Sequence, residues 1–177
     1  MFHLIRRQLK WNFRLPLVVF TPKSLLRHPQ VFSSMEELAY GHFQEVIDDP
    51  MAHSEQTSKL VFTSGRLYYD LVKQRAETGR FDVAIVRVEQ LFPLPEKKIM
   101  EIVKKYNQAK TIVWAQDEPE NMGAWPFISK KLVKLKLVPV TRPESASPAG
   151  GLMTQHNKRL KSILDRIFTE KVLTETK

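Results

Sequence analysis

The stretch KLVFTSGRLYYDLVKQRAETGRFDVAIVRV, residues 59–88, decides the fold. It begins with a short apolar run, Leu60–Thr63, and ends with a second, Val83–Val88, each about the length of one strand. Such near-continuous runs of apolar and β-branched residues belong to strands covered on both faces. Between them Thr63-Ser64-Gly65 ends the first strand and a helix opens near Arg66, so the stretch reads as strand, helix, strand. Two strands joined by a helical crossover lie parallel.

The same alternation runs outward in both directions. Leu17–Phe20, Thr111–Ala115 and Leu137–Thr141 are further strand candidates. Apolar residues at helical spacing, Ile99, Ile102, Val103 and Tyr106 in one segment and Leu160, Ile163, Leu164 and Ile167 in another, mark helix faces. Start signals agree: Ser33 stands three residues before Glu36 as a capping box, Pro95 and Trp125-Pro126 sit at first-turn positions, and Ser147-Pro148 precedes the last helix. The expectation is a three-layer α/β/α domain with a mostly parallel sheet of about five strands. Phe2–Asn12 reads as a basic amphipathic helix outside this pattern, Ala52–Ser58 as a polar loop and Thr174–Lys177 as a frayed end.

Composition bounds the function. The 177 residues suit one domain, and 42% hydrophobic with 27% charged residues is a globular balance. With no Cys, disulfides, thiolate nucleophiles and Cys-ligated metals are excluded, and a reducing compartment suits the chain. No apolar run approaches the roughly 18 residues of a membrane span, and no apolar h-region follows Met1–Lys10, so neither a span nor a secretory signal is expected. The net charge of +9 is local: residues 1–35 carry Arg6, Arg7, Lys10, Arg14, Lys23 and Arg27, residues 127–143 carry Lys130, Lys131, Lys134, Lys136 and Arg142, and neither stretch has an acid. Lys130, Lys131 and Lys134 oppose Ile128, Leu132 and Leu135 on a helix, which favours a solvated face over a nucleic-acid surface.

Motifs that carry chemistry are few in the sequence. There is no G-x-S-x-G, no G-x-x-x-x-G-K-[ST] and no G-x-G-x-x-G after the first strand. The histidines His3, His28, His42, His53 and His156 lack metal-ligand spacing and read as solvated or capping groups. Ser64-Gly65 suits an anion-holding elbow, but a tight turn with Ser64 as helix cap is the favoured reading. The carboxylates Asp117, Glu118 and Glu120 follow a strand, where acid–base chemistry is weighed against a capping or interface role, and the latter is favoured. Trp114, Trp125 and Phe127 read as core or contact residues.

Five ordered stretches nevertheless resemble one family. They are Thr21-Pro22-Lys23-Ser24-Leu25-Leu26-Arg27-His28-Pro29, Thr63-Ser64-Gly65-Arg66-Leu67-Tyr68-Tyr69-Asp70-Leu71, Ile85-Val86-Arg87-Val88-Glu89-Gln90-Leu91-Phe92-Pro93, Glu118-Pro119-Glu120-Asn121-Met122-Gly123-Ala124-Trp125, and Arg142-Pro143-Glu144-Ser145-Ala146-Ser147-Pro148-Ala149. Together they resemble the C-terminal end of the 2-oxoglutarate dehydrogenase E1 component, a domain similar to the transketolase C-terminal domain. Phe2–Gln8 resembles the last helix of the preceding pyrimidine-binding domain, so residues 1–15 are expected to be its tail and linker, and residues 16–177 the α/β domain.

The resemblance implies a part without catalytic residues in an enzyme that decarboxylates 2-oxoglutarate, or the related 2-oxoadipate; the rival expectation is a stand-alone anion- or nucleotide-binding regulatory module with Ser64-Gly65 and the Lys97-Lys98 pair as its site. Thiamine diphosphate and Mg²⁺ are held by the domains before this one. The implied partners are a second E1 subunit, the preceding E1 domains and the lipoyl domain of the E2 succinyltransferase. The implied location is the bacterial cytoplasm or the mitochondrial matrix. An acetyl-CoA or AMP regulatory site is implied at Arg7, Gln90, Lys97 and Lys98. Against it, Lys97 and Lys98 also read as an exposed first helical turn, and His42 and Glu45 replace the Lys and Ser of regulated members.

Overall fold

Five strands, β1 (Val46–Ile47), β2 (Lys59–Thr63), β3 (Val83–Val88), β4 (Thr111–Pro119) and β5 (Val138–Arg142), form one sheet in the order β1-β3-β2-β4-β5 in the computed structural model, which describes residues 1–169. β2 lies parallel to both β3 and β4, and β4 lies parallel to β5; β1 alone is antiparallel, to β3. Helices α1 (Phe2–Lys10) and α2 (Met35–Tyr40) precede the sheet, and α3 (Leu67–Thr78), α4 (Glu96–Lys105), α5 (Trp125–Lys131) and α6 (Met153–Phe168) connect or follow its strands.

Alternation along the strands sorts the core into two layers, because successive side chains leave a strand on opposite faces. Val61, Val83, Ile85, Val113, Ala115 and Val140 pack with Leu67 and Leu71 of α3 and with Ile163 and Ile167 of α6. Leu60, Phe62, Ala84, Val86 and Trp114 pack on the other face with Ile99 of α4 and Ile128 of α5. The architecture is the three-layer α/β/α domain with a mostly parallel sheet that the strand and helix pattern predicts.

The chain divides into two compact units, Met1–Glu45 and a second that starts at Val46 and holds the sheet. Leu17–Phe20, expected as the first strand, is irregular and lies outside the sheet, with Phe20 94% exposed. A run of apolar residues makes a strand only where another backbone edge pairs with it. The free edge of β3 is taken instead by the two-residue β1, and two side-chain anchors follow directly. Asp48 accepts hydrogen bonds from the Tyr106 hydroxyl at 2.9 Å and from Lys105 Nζ. Burial, reinforced by that carboxylate, pushes the Tyr106 hydroxyl pKa above its ordinary value. Asp49 is buried, pairs with the buried Arg75 of α3, and accepts from the Ile85 amide at 2.8 Å.

Other local expectations shift. The capping box falls one residue later, with Ser34 Oγ accepting from the Glu37 amide and Glu37 Oε2 from the Ser34 amide. α5 stops at Lys131, and Val133–Leu135 is a 3₁₀ turn that ends with Lys136 in a left-handed conformation, so Lys130, Lys131 and Lys134 do not share one continuous helix; all three are exposed. The segment expected as a loop before β2 contains a 3₁₀ turn, Ser54–Gln56. Lys59 is buried at the start of β2 and donates to the Ile167 carbonyl near the end of α6; burial lowers its pKa. The end read as frayed lies outside the described residues.

Candidate functional site

The carboxyl ends of parallel strands are where an α/β sheet gathers polar groups from distant parts of the chain. Here Arg66 follows β2, Asp117 lies in the last part of β4, Arg142 ends β5, and His156 lies in the first turn of α6. Asp117 joins them. Its Oδ2 accepts from Arg66 Nη2 at 2.9 Å and its Oδ1 accepts from Arg142 Nη2 at 2.5 Å. Arg142 Nη2 also lies 3.0 Å from His156 Nδ1, and Arg66 Nη2 lies 3.4 Å from His156 Nε2, so the imidazole sits between the two guanidiniums. Arg66 makes a second ion pair with Asp70, one turn further along α3, at 3.4 Å. Burial pushes the Asp70 carboxyl above its ordinary range, with the Arg66 guanidinium acting against the rise.

A carboxylate held by two guanidiniums is committed to holding them in place, and Asp117 therefore works as an anchor. Glu120 accepts a 3.5 Å hydrogen bond from Thr141 Oγ1, and Glu118 is exposed. The shape of the turn comes from Gln116. Buried in β4, its Oε1 accepts from Trp114 Nε1 at 3.0 Å and from the Trp125 amide at 2.8 Å, while its Nε2 donates to the Pro119 and Met122 carbonyls at 3.0 and 2.7 Å. Trp114 is wholly buried, in keeping with a core role. Gly123 takes φ +67° in this turn, where a Cβ would meet Glu118 Cβ at 3.0 Å.

The elbow after β2 differs from the expected cap. Gly65 has φ +67°, but α3 is entered through Arg66 and has no side-chain cap, so Ser64 does not close the helix. Thr63 Oγ1 is buried there without a hydrogen-bond partner among the described residues.

The four residues expected to hold a regulatory nucleotide fall in the two units. Arg7 belongs to the first, on α1, with its guanidinium 3.8 Å from the Phe43 ring centre and 5.6 Å from that of Trp11. It lines a cavity of about 290 Å³ with His3, Arg6, Lys10 and His42. Arg7 and His42 therefore share one cavity. His3 Nε2 lies 2.7 Å from the Glu37 carbonyl, and Arg6 donates to the Gly41 carbonyl. The other three lie on the β3–α4 connection of the second unit: Gln90 donates to the Pro93 carbonyl at 2.7 Å, and Lys97 and Lys98 occupy the exposed first turn of α4.

Sequence reasoning missed the Gln116 hub and the grouping of Arg66, Asp117, Arg142 and His156. Arg66, Asp70 and Arg142 did lie inside quoted motifs; His156 carried no signal of its own.

Comparison with known proteins identifies the relatives of this chain. The family model described as 2-oxoglutarate dehydrogenase C-terminal matches residues 32–168. The 2-oxoglutarate dehydrogenase E1 component of Cupriavidus necator is 43% identical over 175 residues, which cover 96% of this chain and 18% of the relative. The 2-oxoadipate dehydrogenase complex component E1 of Mus musculus is 41% identical over 175 residues, covering 96% of this chain and 19% of the relative. The 2-oxoglutarate dehydrogenase E1 component of Azotobacter vinelandii is 40% identical over 177 residues, covering 95% and 19%. The chain thus spans about a fifth of the length of these curated relatives. Since the family model covers well over half of the sequence, this chain belongs to the 2-oxoglutarate dehydrogenase C-terminal family.

Proposed function

We propose that the chain serves as the non-catalytic C-terminal domain of a thiamine diphosphate-dependent 2-oxoglutarate dehydrogenase E1 component. In this reading the parent enzyme decarboxylates 2-oxoglutarate and passes the succinyl group to a lipoyl arm of its E2 partner in the tricarboxylic acid cycle. The domain supports assembly of the E1 dimer. The observation that carries the reading is the family match over residues 32–168.

A diphosphate-bound Mg²⁺ needs converging oxygen ligands. Among the described residues no group of three or more His, Asp and Glu side chains could hold a metal ion, so this chain's residues do not fit the cofactor site. The cofactor belongs, in this reading, to the two preceding domains of the parent.

The test is reconstitution. The chain alone, given 2-oxoglutarate, thiamine diphosphate, Mg²⁺ and an artificial electron acceptor, should give no turnover, and co-expression with the preceding domains of a related E1 should give a dimer that turns over. Turnover by the chain alone would overturn the reading, as would failure of the joined protein to assemble.

A second reading, membership of a 2-oxoadipate dehydrogenase E1, is favoured by the near-equal identities of 41% and 43% to relatives of the two names. The ratio of kcat/KM for the two oxoacids in the joined enzyme separates them. Regulation by acetyl-CoA at Arg7, Gln90, Lys97 and Lys98 is part of the proposal, supported by the cationic surroundings of Arg7. Titration of the joined enzyme with acetyl-CoA should give binding that Lys97→Ala with Lys98→Ala weakens; unchanged binding would remove those lysines from the site.

A further inference from the structure

β5 is an edge strand, and a cavity of about 610 Å³ lies where its end meets α6. Its lining includes four cations, Arg142, Lys158, Arg159 and Arg166, and a single carboxylate, Glu120. The helix contribution is periodic: Lys158, Arg159, Ser162 and Arg166 stand on one face of α6, while Ile163 and Ile167 face the core. A cationic helix face is ordinarily just a solvated one. Three observations separate this face from that case.

The first is that Arg166 is fixed in place. Its Nη1 donates to the Thr141 carbonyl at 2.9 Å and its Nη2 to the Pro139 carbonyl at 3.1 Å, and among the described residues it makes no ion pair with a carboxylate. The second is Arg142, only 6% exposed. It lines the cavity, and its Nη2 is held by Asp117 Oδ1 and lies 3.0 Å from His156 Nδ1. The third is that Lys158 and Arg159, exposed residues of the lining, make no hydrogen bond or ion pair among the described residues.

Fixed guanidiniums beside a lysine suit phosphate, since Arg offers a planar fork of donors and Lys a compact charge. The volume lies within the range of about 300–1,000 Å³ common for small-molecule sites and exceeds the needs of one phosphate group. We infer that the β5–α6 cavity binds a phosphorylated small molecule carrying at least a diphosphate, with Arg142 and Arg166 as the fixed donors and Lys158 and Arg159 as the closing charges. The inference rests on residues separate from the Arg7, Gln90, Lys97 and Lys98 set and stands whether or not the proposed E1 role holds.

Calorimetric titration of the chain with pyrophosphate tests it. Binding should be tighter than about 1 mM and should weaken at least about tenfold in the Lys158→Ala, Arg159→Ala double variant, while Lys130→Ala with Lys131→Ala on α5 leaves it unchanged. If the double variant melts early by circular dichroism, Ser162→Glu supplies the independent test: this exposed position on the same face would place a carboxylate in the cavity and should abolish binding. Absence of binding, or equal weakening in the α5 control, overturns the site. Citrate binding as tightly as pyrophosphate overturns the phosphate assignment, and so does a DNA oligonucleotide binding far more tightly and displacing it.

Discussion

Replacing Asp49 by Ala should be among the most damaging single changes in the sheet unit. The Asp49 side chain is 1% exposed and the Arg75 side chain 4%, so both charges have given up water for one another. Arg75 Nη2 also reaches Asp49 Oδ1 at 3.3 Å, and Nη1 donates to the Val83 carbonyl at 3.2 Å. Removing the carboxylate leaves the guanidinium buried with one neutral partner and strands the Ile85 amide, which donates to Asp49 Oδ2. Breaking one side of a buried pair costs about 3–5 kcal/mol. About 4 kcal/mol in a chain of this size lowers the melting temperature by about 8–16 °C.

Urea unfolding followed by near-ultraviolet circular dichroism measures that loss, because Trp114 and Trp125 both pack in this unit. A cycle with Arg75→Met and the Asp49→Ala, Arg75→Met double variant isolates the pair. The double variant should cost clearly less than the sum of the single changes, since neither charge is then left alone. An Asp49→Ala loss below about 1 kcal/mol, or strictly additive single changes, would refute the reasoning.

Other perturbations probe the turn and the strand ends. Gly123→Ala forces a left-handed backbone on alanine against Glu118 and Gln116 and should cost about 2 kcal/mol, whereas Gly79→Ala, at φ +66° with open space around it, should cost about 1 kcal/mol; equal losses in thermal unfolding would contradict the crowding at Gly123. Gln116→Leu strands the Trp114 indole N–H and the Trp125 amide and should lower stability by about 3 kcal/mol, with a shift in the tryptophan emission that a merely looser core would not require. Arg80 and Ser58 hold the Asp82 carboxyl down at about 2, from an ordinary 3.8. A depressed folded value stabilises the fold above the unfolded value, so this contribution is complete above about pH 4 and is lost as pH falls toward about 2. Asp82→Asn should flatten the stability profile in that window, and an unchanged slope would count against the Arg80 contact.

The parts legible in the sequence are those set by local periodicity. Val83–Val88 is a strand over the same residues in sequence and structure, because its apolar run is long enough to be covered on both faces. Leu17–Phe20 shows the limit: apolarity describes what a segment would bury, not which backbone edge accepts it. The strand that replaces it, Val46–Ile47, is too short for any period and is held by Asp48 and Asp49, whose partners Tyr106 and Arg75 are 58 and 26 residues away. The polar cluster behaves the same way. Asp117 is 51 residues from Arg66 and 25 from Arg142, and only the parallel stacking of β2, β4 and β5 brings their ends together.

By itself the sequence determined the layer order, the parallel crossovers and the family, because hydrophobic period and motif order are properties of neighbours along the chain. Helical spacing even places Lys158, Arg159, Ser162 and Arg166 on one face of α6. Only the tertiary structure decided what that face meets: the open edge of β5, and a buried guanidinium at Arg142 whose Nε has no hydrogen-bond partner among the described residues. Charge along a helix is written in the sequence, but the loss of water that makes a charge selective arises only when distant elements close around it.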